Sequence, residues 1–136
     1  MQVRQHTVAL FGEAERGEYR TVYFFQSLPQ LLDNLGNPPE DSQGIHYAVQ
    51  LLMHQHQLVY FRVEEEGFST EDYLLGARFL RQSKMIKNLS ALFLPGVGCH
   101  EIMEEVEPIC KLHESLLLTT ESDLYDYLTY FQQRVS

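Results

Sequence analysis

The hydrophobic positions of this chain fall into short apolar runs separated by stretches with helical spacing. Five runs are rich in β-branched, aromatic or leucine residues and predict strands, at residues 7–11, 21–25, 58–63, 91–94 and 116–119. Runs that are apolar throughout, rather than alternating with polar residues, are typical of strands buried on both faces. The pattern therefore favours a mostly parallel sheet covered by helices on both sides.

The stretches between these runs carry apolar residues three or four positions apart, which predicts helices with one buried face. The expected inward stripes are Leu28, Leu31, Leu32 and Leu35; Ile45, Ala48, Val49 and Leu52; Tyr73, Leu74, Ala77 and Leu80; Ile102, Val106, Ile109 and Leu112; and Leu124, Tyr127, Leu128 and Phe131. Five amphipathic helices are thus expected among the strands.

Local residue chemistry predicts where several of these helices begin or bend. Ser27 is expected to cap the first helix, segment 69–72 has capping-box spacing, and segment 120–123 is expected to cap the last helix. Gly76 lies inside the third helix, where it would let the helix approach the sheet closely. Pro108 lies inside the fourth helix and predicts a kink or a break there.

The order of elements predicts one α/β domain over residues 1–136, with a three-layer Rossmann-like or flavodoxin-like sheet of four to five strands. Only about eight residues separate the first two strands, whereas a parallel crossover needs a dozen or more. Two alternatives remain for this region. Either the two strands form an N-terminal antiparallel hairpin, or residues 19–25 lead into the first helix without joining the sheet.

Composition and charge support a folded domain and argue against two classes of partner. Of the 136 residues, 44% are hydrophobic, which is enough apolar surface to offset the entropy of the chain. Nineteen acidic and ten basic side chains give a net charge of −9. A field of this sign repels phosphate backbones and anionic lipids, so we expect neither nucleic acid nor a membrane surface as a partner.

Hydropathy and cysteine usage predict a cytoplasmic protein. The apolar run at 7–11 is too short for a secretory signal peptide, and no run approaches the ~18 residues of a membrane span. On one helix, Cys99 and Cys110 would lie about 16 Å apart, which is too far for a disulfide. Two reduced thiols are typical of a reducing compartment.

The predicted fold indicates where a ligand would bind. In open parallel sheets, ligands lie beyond the carboxyl ends of the strands, where the strand order reverses. Four loops are expected there, at residues 12–17, 64–68, 95–100 and 119–121. The candidate ligand-binding residues in or near them are Gly12, Glu15, Gly96, Gly98 and Thr120, and the candidate catalytic residues are Glu13, Glu64, Cys99 and His100.

The loop after the fourth strand combines two chemical signals. Gly96 and Gly98, between a strand and a helix start, can aim backbone N–H groups at an anion. The third glycine of the dinucleotide fingerprint is absent, so a tight turn explains the two glycines equally well. Cys99 beside His100 suggests a nucleophile and a base, although adjacent helical residues point about 100° apart.

Other motifs exclude particular chemistries. The loop at 12–17 has the glycine spacing of a P-loop but lacks the Lys-Ser/Thr pair that holds phosphate and magnesium. No metal site is predicted, because neither of two candidate ligand pairs has a second pair to complete a tetrahedral site; they are His54 with His56, and Cys110 with His113. No segment indicates a cofactor.

Two functions from different classes remain open. One is a non-enzymatic binding or regulatory domain that acts through protein contacts or self-association. Tyr125 and Tyr130 support it, because they fall off the inward stripe of the last helix and exposed tyrosines favour interfaces. The other is an enzyme or sensor for a nucleoside, nucleotide or sugar, with its site at the carboxyl ends of the strands. The sequence does not decide whether the protein is an enzyme.

Overall fold

Ten helices and strands follow one another in the predicted order. The computed structural model describes residues 6–83, 86 and 89–135, the side chains of 131–135 excepted. The elements are β1 (Thr7–Gly12), β2 (Val22–Phe25), α1 (Leu28–Leu35), α2 (Gly44–Met53), β3 (Gln57–Arg62), α3 (Thr70–Gln82), β4 (Leu89–Phe93), α4 (His100–His113), β5 (Leu116–Leu118) and α5 (Glu121–Val135).

The five strands form one sheet in the order β2-β3-β1-β4-β5. Strand β1 pairs in parallel with β3 and β4, β4 pairs in parallel with β5, and β2 runs antiparallel to β3. Numbered in chain order, the four parallel strands have the arrangement 2-1-3-4 found in flavodoxin-like sheets. The predicted α/β class, with a mostly parallel sheet and an antiparallel strand near the N-terminus, is confirmed.

The antiparallel partner of β2 is β3 rather than β1, and α1 and α2 lie between β2 and β3 in the chain. The loop that leaves β1 passes the carboxyl end of β3 and is held there by Arg62. The Arg62 guanidinium donates to the carbonyl of Ala14 at 2.9 Å and to the carbonyl of Gly17. The Arg20 amide donates to the Arg62 carbonyl at 2.9 Å, which directs the chain back along the outer edge of β3.

Alternate residues of the buried strands face two separate cores. Val8 and Leu10 belong to the core under α1, α2 and α5. Ala9 and Phe11 belong to the core under α3 and α4. Successive side chains in a strand point to opposite faces, so an entirely apolar strand requires helices on both sides. The molecule therefore has three layers, as the continuous apolar runs predicted.

Gly76 lies where α3 crosses the sheet. A Cβ on Gly76 would overlap the Phe11 ring and lie 3.1 Å from the Phe61 ring. The predicted close approach of this helix is therefore confirmed. Tyr73, one turn earlier, is fully buried and stacks on Phe11 with ring centroids 5.4 Å apart.

Helix starts differ in how their backbone N–H groups are bound. Ser27 caps α1 through a hydrogen bond from the Gln30 amide, as predicted. Residues 120–123 cap α5 as predicted, and the Asp123 amide donates to the Thr120 hydroxyl at 3.1 Å. The Thr119 amide donates to the Asp123 carboxylate, which lowers the pKa of Asp123.

Ser69, Leu32 and Leu112 depart from what the sequence predicts for the helices. Ser69 precedes α3 but its side chain does not cap the helix. Of the predicted kink or break at Pro108, the break does not occur: α4 continues through Pro108, which lies on its exposed face, where water can hydrate the carbonyl that loses its partner. Leu112 and Leu32, expected to face inward, are exposed. The Phe131 side chain lies outside the described part of the chain.

We predict that the buried His56 lowers the stability of the folded protein at mildly acidic pH. His56 is buried near the rings of His6 and Tyr127, and burial lowers its pKa to about 4. In the unfolded chain, histidine titrates near pH 6.5, so below that pH only the unfolded state gains the proton. The free energy of unfolding should therefore fall by up to roughly 3 kcal/mol between pH 6.5 and 4.

Urea denaturation of wild type, His56→Phe and His46→Gln at pH 7.5 and 4.5 tests this prediction. The exposed His46 on α2 provides the control. The pH-dependent loss should be smaller in His56→Phe and unchanged in His46→Gln. An equal loss in wild type and His56→Phe would contradict the role assigned to His56.

Candidate functional site

The carboxyl ends of the parallel strands bring the four predicted loops to one edge of the sheet. The amide of Glu66 donates to the Glu13 carboxylate at 2.8 Å, which joins the loops after β3 and β1. Gly67 lies against Gly96 so closely that a Cβ on Gly67 would be 3.0 Å from the Gly96 carbonyl oxygen. The Gly96 amide donates to the Thr119 carbonyl at 3.1 Å. All four loops are therefore in contact.

The carboxylate of Glu66 lies at the N-terminus of α2. Its Oε1 accepts hydrogen bonds from the Glu13 amide at 3.1 Å, the Ser42 hydroxyl at 3.0 Å and the Gly44 amide at 2.9 Å. Its Oε2 accepts one from the Gln43 amide at 2.8 Å. Backbone N–H groups at a helix start are the usual binding groups for phosphate. Glu66 therefore occupies the position that an anionic ligand would take at this edge.

Two glycines make room for this carboxylate. Gly12 ends β1 and Gly44 begins α2, and their backbones lie against each other. A Cβ on either would overlap the Tyr60 hydroxyl and lie 2.8 Å from Glu66 Oε1 and 2.9 Å from the Cα of the other glycine. The Tyr60 hydroxyl in turn donates to the Glu13 carbonyl at 2.6 Å, and burial raises the pKa of Tyr60 well above its usual value. We call these groups around Glu66 the carboxylate cradle.

The remaining predicted ligand-binding residues serve different local roles. Glu15 accepts a hydrogen bond from the Asn37 amide at 3.2 Å and lies against Gly36, so it holds the end of α1. Thr120 caps α5. Gly96 has a left-handed φ of 75°, which explains the glycine in this turn, whereas a Cβ on Gly98 would meet open space. Of the five candidates, Gly12 alone contributes to the carboxylate cradle.

The four candidate catalytic residues do not form one constellation. The Glu13 carboxylate is bound to the Glu66 amide, and Glu64 is exposed. Cys99 packs against the core under α3 and α4. His100 extends into solvent, where its Nε2 lies 2.8 Å from Glu104. The structure therefore gives no nucleophile–base pairing of Cys99 with His100.

The Cys110 thiol is not activated as a nucleophile. Cys99 and Cys110 are both free thiols, in agreement with the expectation from their spacing. Burial raises the pKa of Cys110 to about 11, so at neutral pH it remains a thiol. Because the thiolate is the nucleophilic form, Cys110 is not an activated nucleophile.

Two buried charges at this edge were not identified from the sequence. The Arg62 guanidinium binds loop carbonyls and lies 4.1 Å from the centre of the Tyr19 ring. Asp72 is 1% exposed; its Oδ1 lies 2.5 Å from Arg20 Nε, and its Oδ2 accepts a hydrogen bond from the Glu64 amide at 2.8 Å. A charged residue inside the apolar run 58–63 was the available signal for Arg62. Asp72 lay within the apparent capping box, which concealed its role.

Glu66, Ser42 and Gly44 were also missed. Glu66 was the last of three consecutive glutamates, and nothing in their order distinguishes it. Gly44 follows a turn and starts a helix, which is a recognisable signal for close backbone approach. Metal binding has no comparable support: the residues that the structure describes contain no group of three His, Cys, Asp or Glu side chains placed to hold an ion.

No helix in the described ranges is long and apolar enough to cross a membrane. The chain matches no protein-family model, and a search of curated proteins finds no match.

We predict that loss of the Glu66 carboxylate destabilises the fold. Glu66→Ala removes the acceptor of four hydrogen bonds and leaves backbone N–H groups of Glu13, Gln43 and Gly44 without it. The expected loss is roughly 3 kcal/mol in the free energy of unfolding, because a charged acceptor is removed from partly buried donors. Glu66→Gln should retain part of this stability.

Denaturant unfolding provides the measurement, with Glu64→Ala as the matched control. Glu64 lies two residues away, and its side chain is exposed. Inorganic phosphate should raise the melting temperature of Glu66→Ala more than that of wild type, since the vacated N–H groups can bind an anion. Equal stability of Glu66→Ala and Glu64→Ala would refute the assigned role of the cradle.

Gly12, at the end of β1, and Gly98, in the loop after β4, should respond oppositely to alanine. Gly12→Ala places a Cβ against Tyr60 and Gly44 and should cost about 2 kcal/mol or more. Gly98→Ala meets open space and should be neutral or stabilise by about 0.5 kcal/mol, because alanine restricts the unfolded chain. Thermal melts of both variants test this difference, and similar melting temperatures would contradict it.

Proposed function

We propose that this protein is a non-enzymatic binding or regulatory domain that acts through protein contacts. Its proposed contact surface is the outer edge of β5 with the adjoining end of α4, and the proposed occupant is a second copy of the chain. The observation that carries the proposal is a cluster of exposed leucines: Leu112, Leu116 and Leu117 are 71%, 52% and 37% exposed. We call these three residues the leucine edge.

The position of β5 supports pairing with another strand. It is the last strand of the sheet, and no strand in the described ranges lies on its outer side. An edge strand presents unpaired N–H and C=O groups that can template a further strand. The register places Leu117 beside Leu92 on one face and Leu116 beside Ala91 on the other. A strand added here would therefore bury apolar side chains on both faces of an extended sheet.

The leucine edge is also self-complementary. If two copies of β5 pair antiparallel about a twofold axis at Leu117, that leucine faces its own copy, and Leu116 faces Leu118. Isologous contacts of this kind are the commonest in soluble homo-oligomers. Tyr125 and Tyr130, about half exposed on α5, are a second exposed aromatic feature that favours a protein contact.

Several observations weigh against the alternative, a small-molecule enzyme or sensor at the carboxyl ends of the strands. Glu66 uses the N–H groups that would bind an anion there. Among the other candidates, Thr120 caps a helix, and Cys99 and His100 do not form a pair. The two free cysteines support a cytoplasmic location as part of the proposal.

Analytical ultracentrifugation of wild type and of the double variant Leu116→Lys/Leu117→Lys tests the proposed function. Wild type should form a dimer as its concentration rises. The double variant should dissociate at least tenfold more readily, because lysines at an edge oppose strand pairing. Leu116 and Leu117 are 52% and 37% exposed, so the double variant should remain folded with a modestly lower melting temperature, which circular dichroism can check.

Leu32→Lys provides the matched control, because Leu32 is a comparably exposed leucine on α1. Its dimerisation should equal that of wild type. Wild type that remains monomeric at several hundred micromolar, or equal weakening by the control and the double variant, would overturn the proposal.

A further inference from the structure

An open groove lies between α3 and Arg20, which precedes β2. Strand β2 is the outer strand at the end of the sheet opposite β5. The groove has a volume of about 280 Å³, and it is lined by Arg20, Glu71, Leu74, Leu75 and Arg78. The four lining residues of α3 have spacings of three, four and seven positions from Glu71, which places them on one stripe of the helix. The groove is close to the ~300 Å³ at which small-molecule pockets begin.

The Arg20 side chain is held in place by a buried carboxylate. Its Nε lies 2.5 Å from the carboxylate of Asp72, which is almost completely buried. Its amide donates to the Arg62 carbonyl, and its φ of 56° is in the left-handed region, which is unusual for arginine. Asp72 accepts from Nε, and no hydrogen bond joins the terminal nitrogens of the half-exposed guanidinium to another residue of the described ranges, so they can bind a ligand at the groove. An arginine fixed in this way loses little entropy when it binds a ligand.

Arg78 supplies a second cation to the groove. Within the described residues, no carboxylate lies within ion-pair distance of it, whereas Arg81 on the same helix lies 3.2 Å from Glu105. Glu71 is the one acidic lining residue, so the lining has two positive charges and one negative charge. The buried Asp72 carboxylate beneath Arg20 balances the second positive charge, so the groove presents two guanidinium groups without the net negative charge of the whole chain, which is −9. Leu74 and Leu75 add apolar surface beside the two arginines.

We propose that this groove binds a small organic anion that carries a carboxylate or a phosphate monoester beside an apolar group. Two guanidinium groups match the oxygens of such anions in charge and in planar geometry. The leucines would contact the apolar group. The site is separate from both the carboxylate cradle and the leucine edge, so it does not depend on the proposed function.

Titrations followed by amide NMR test this site with four compounds: phenyl phosphate, phenylacetate, benzyl alcohol and inorganic phosphate. The two aromatic anions should bind with a dissociation constant of about a millimolar and shift amide signals of α3 near Leu75. Neutral benzyl alcohol and inorganic phosphate should each bind at least tenfold more weakly. Benzyl alcohol lacks the anionic group, and inorganic phosphate lacks the apolar group. Equal binding of benzyl alcohol or of inorganic phosphate would overturn the proposal.

Three variants on α3 make the test specific. Arg78→Gln should weaken phenyl phosphate binding about tenfold, because one charged contact is lost. Glu71→Gln should strengthen it about threefold, because a repelling charge is removed. Arg81→Gln, the matched control, should leave it unchanged. Equal weakening in Arg78→Gln and Arg81→Gln would show only general attraction of anions and would overturn the site.

Discussion

The carboxylate of Glu66 is the interaction on which the carboxyl edge of the sheet depends. Four donors from the end of β1, the turn before α2 and the start of α2 converge on it. A helix start has N–H groups without partners inside the helix, and at this edge a negative side chain supplies the acceptor. Gly12 and Gly44 are required because no Cβ fits between the two backbones. The same contact that closes the edge removes the usual position for an anionic ligand.

The other buried charges at this edge also hold loops. Arg62 binds the chain that leaves β1, and Asp72 joins Arg20 to the loop after β3. Because these groups already have partners inside the protein, the surfaces proposed for function lie elsewhere, beside the two outer strands of the sheet. One is the leucine edge at β5, and the other is the groove beside β2. Each presents groups without a partner in the described chain.

Much of the fold could be predicted from the sequence, because strands buried on both faces must be apolar throughout and α helices need a single apolar stripe. The partner of β2 could not be predicted, since it depends on where Arg62 holds a loop distant in sequence. Leu112 continues the apolar stripe of α4 in the sequence, yet it is 71% exposed, because spacing alone does not show where the covering layer ends. The sequence indicates that the loop at 64–68 lies at the carboxyl edge. It does not indicate which of the three consecutive glutamates binds the start of α2, because tertiary contacts alone select Glu66.

Amide hydrogen exchange measured by NMR tests the central claim most directly. If the Glu66 carboxylate closes the edge, the amides of Glu13, Gln43 and Gly44 are bound in the native state and exchange only when the edge opens. We expect them to exchange at least about a thousandfold more slowly than the amide of the exposed Gly98, which corresponds to opening free energies of about 4 kcal/mol. Exchange of all three amides as fast as that of Gly98 would contradict the claim that they are bound to the Glu66 carboxylate in the native state.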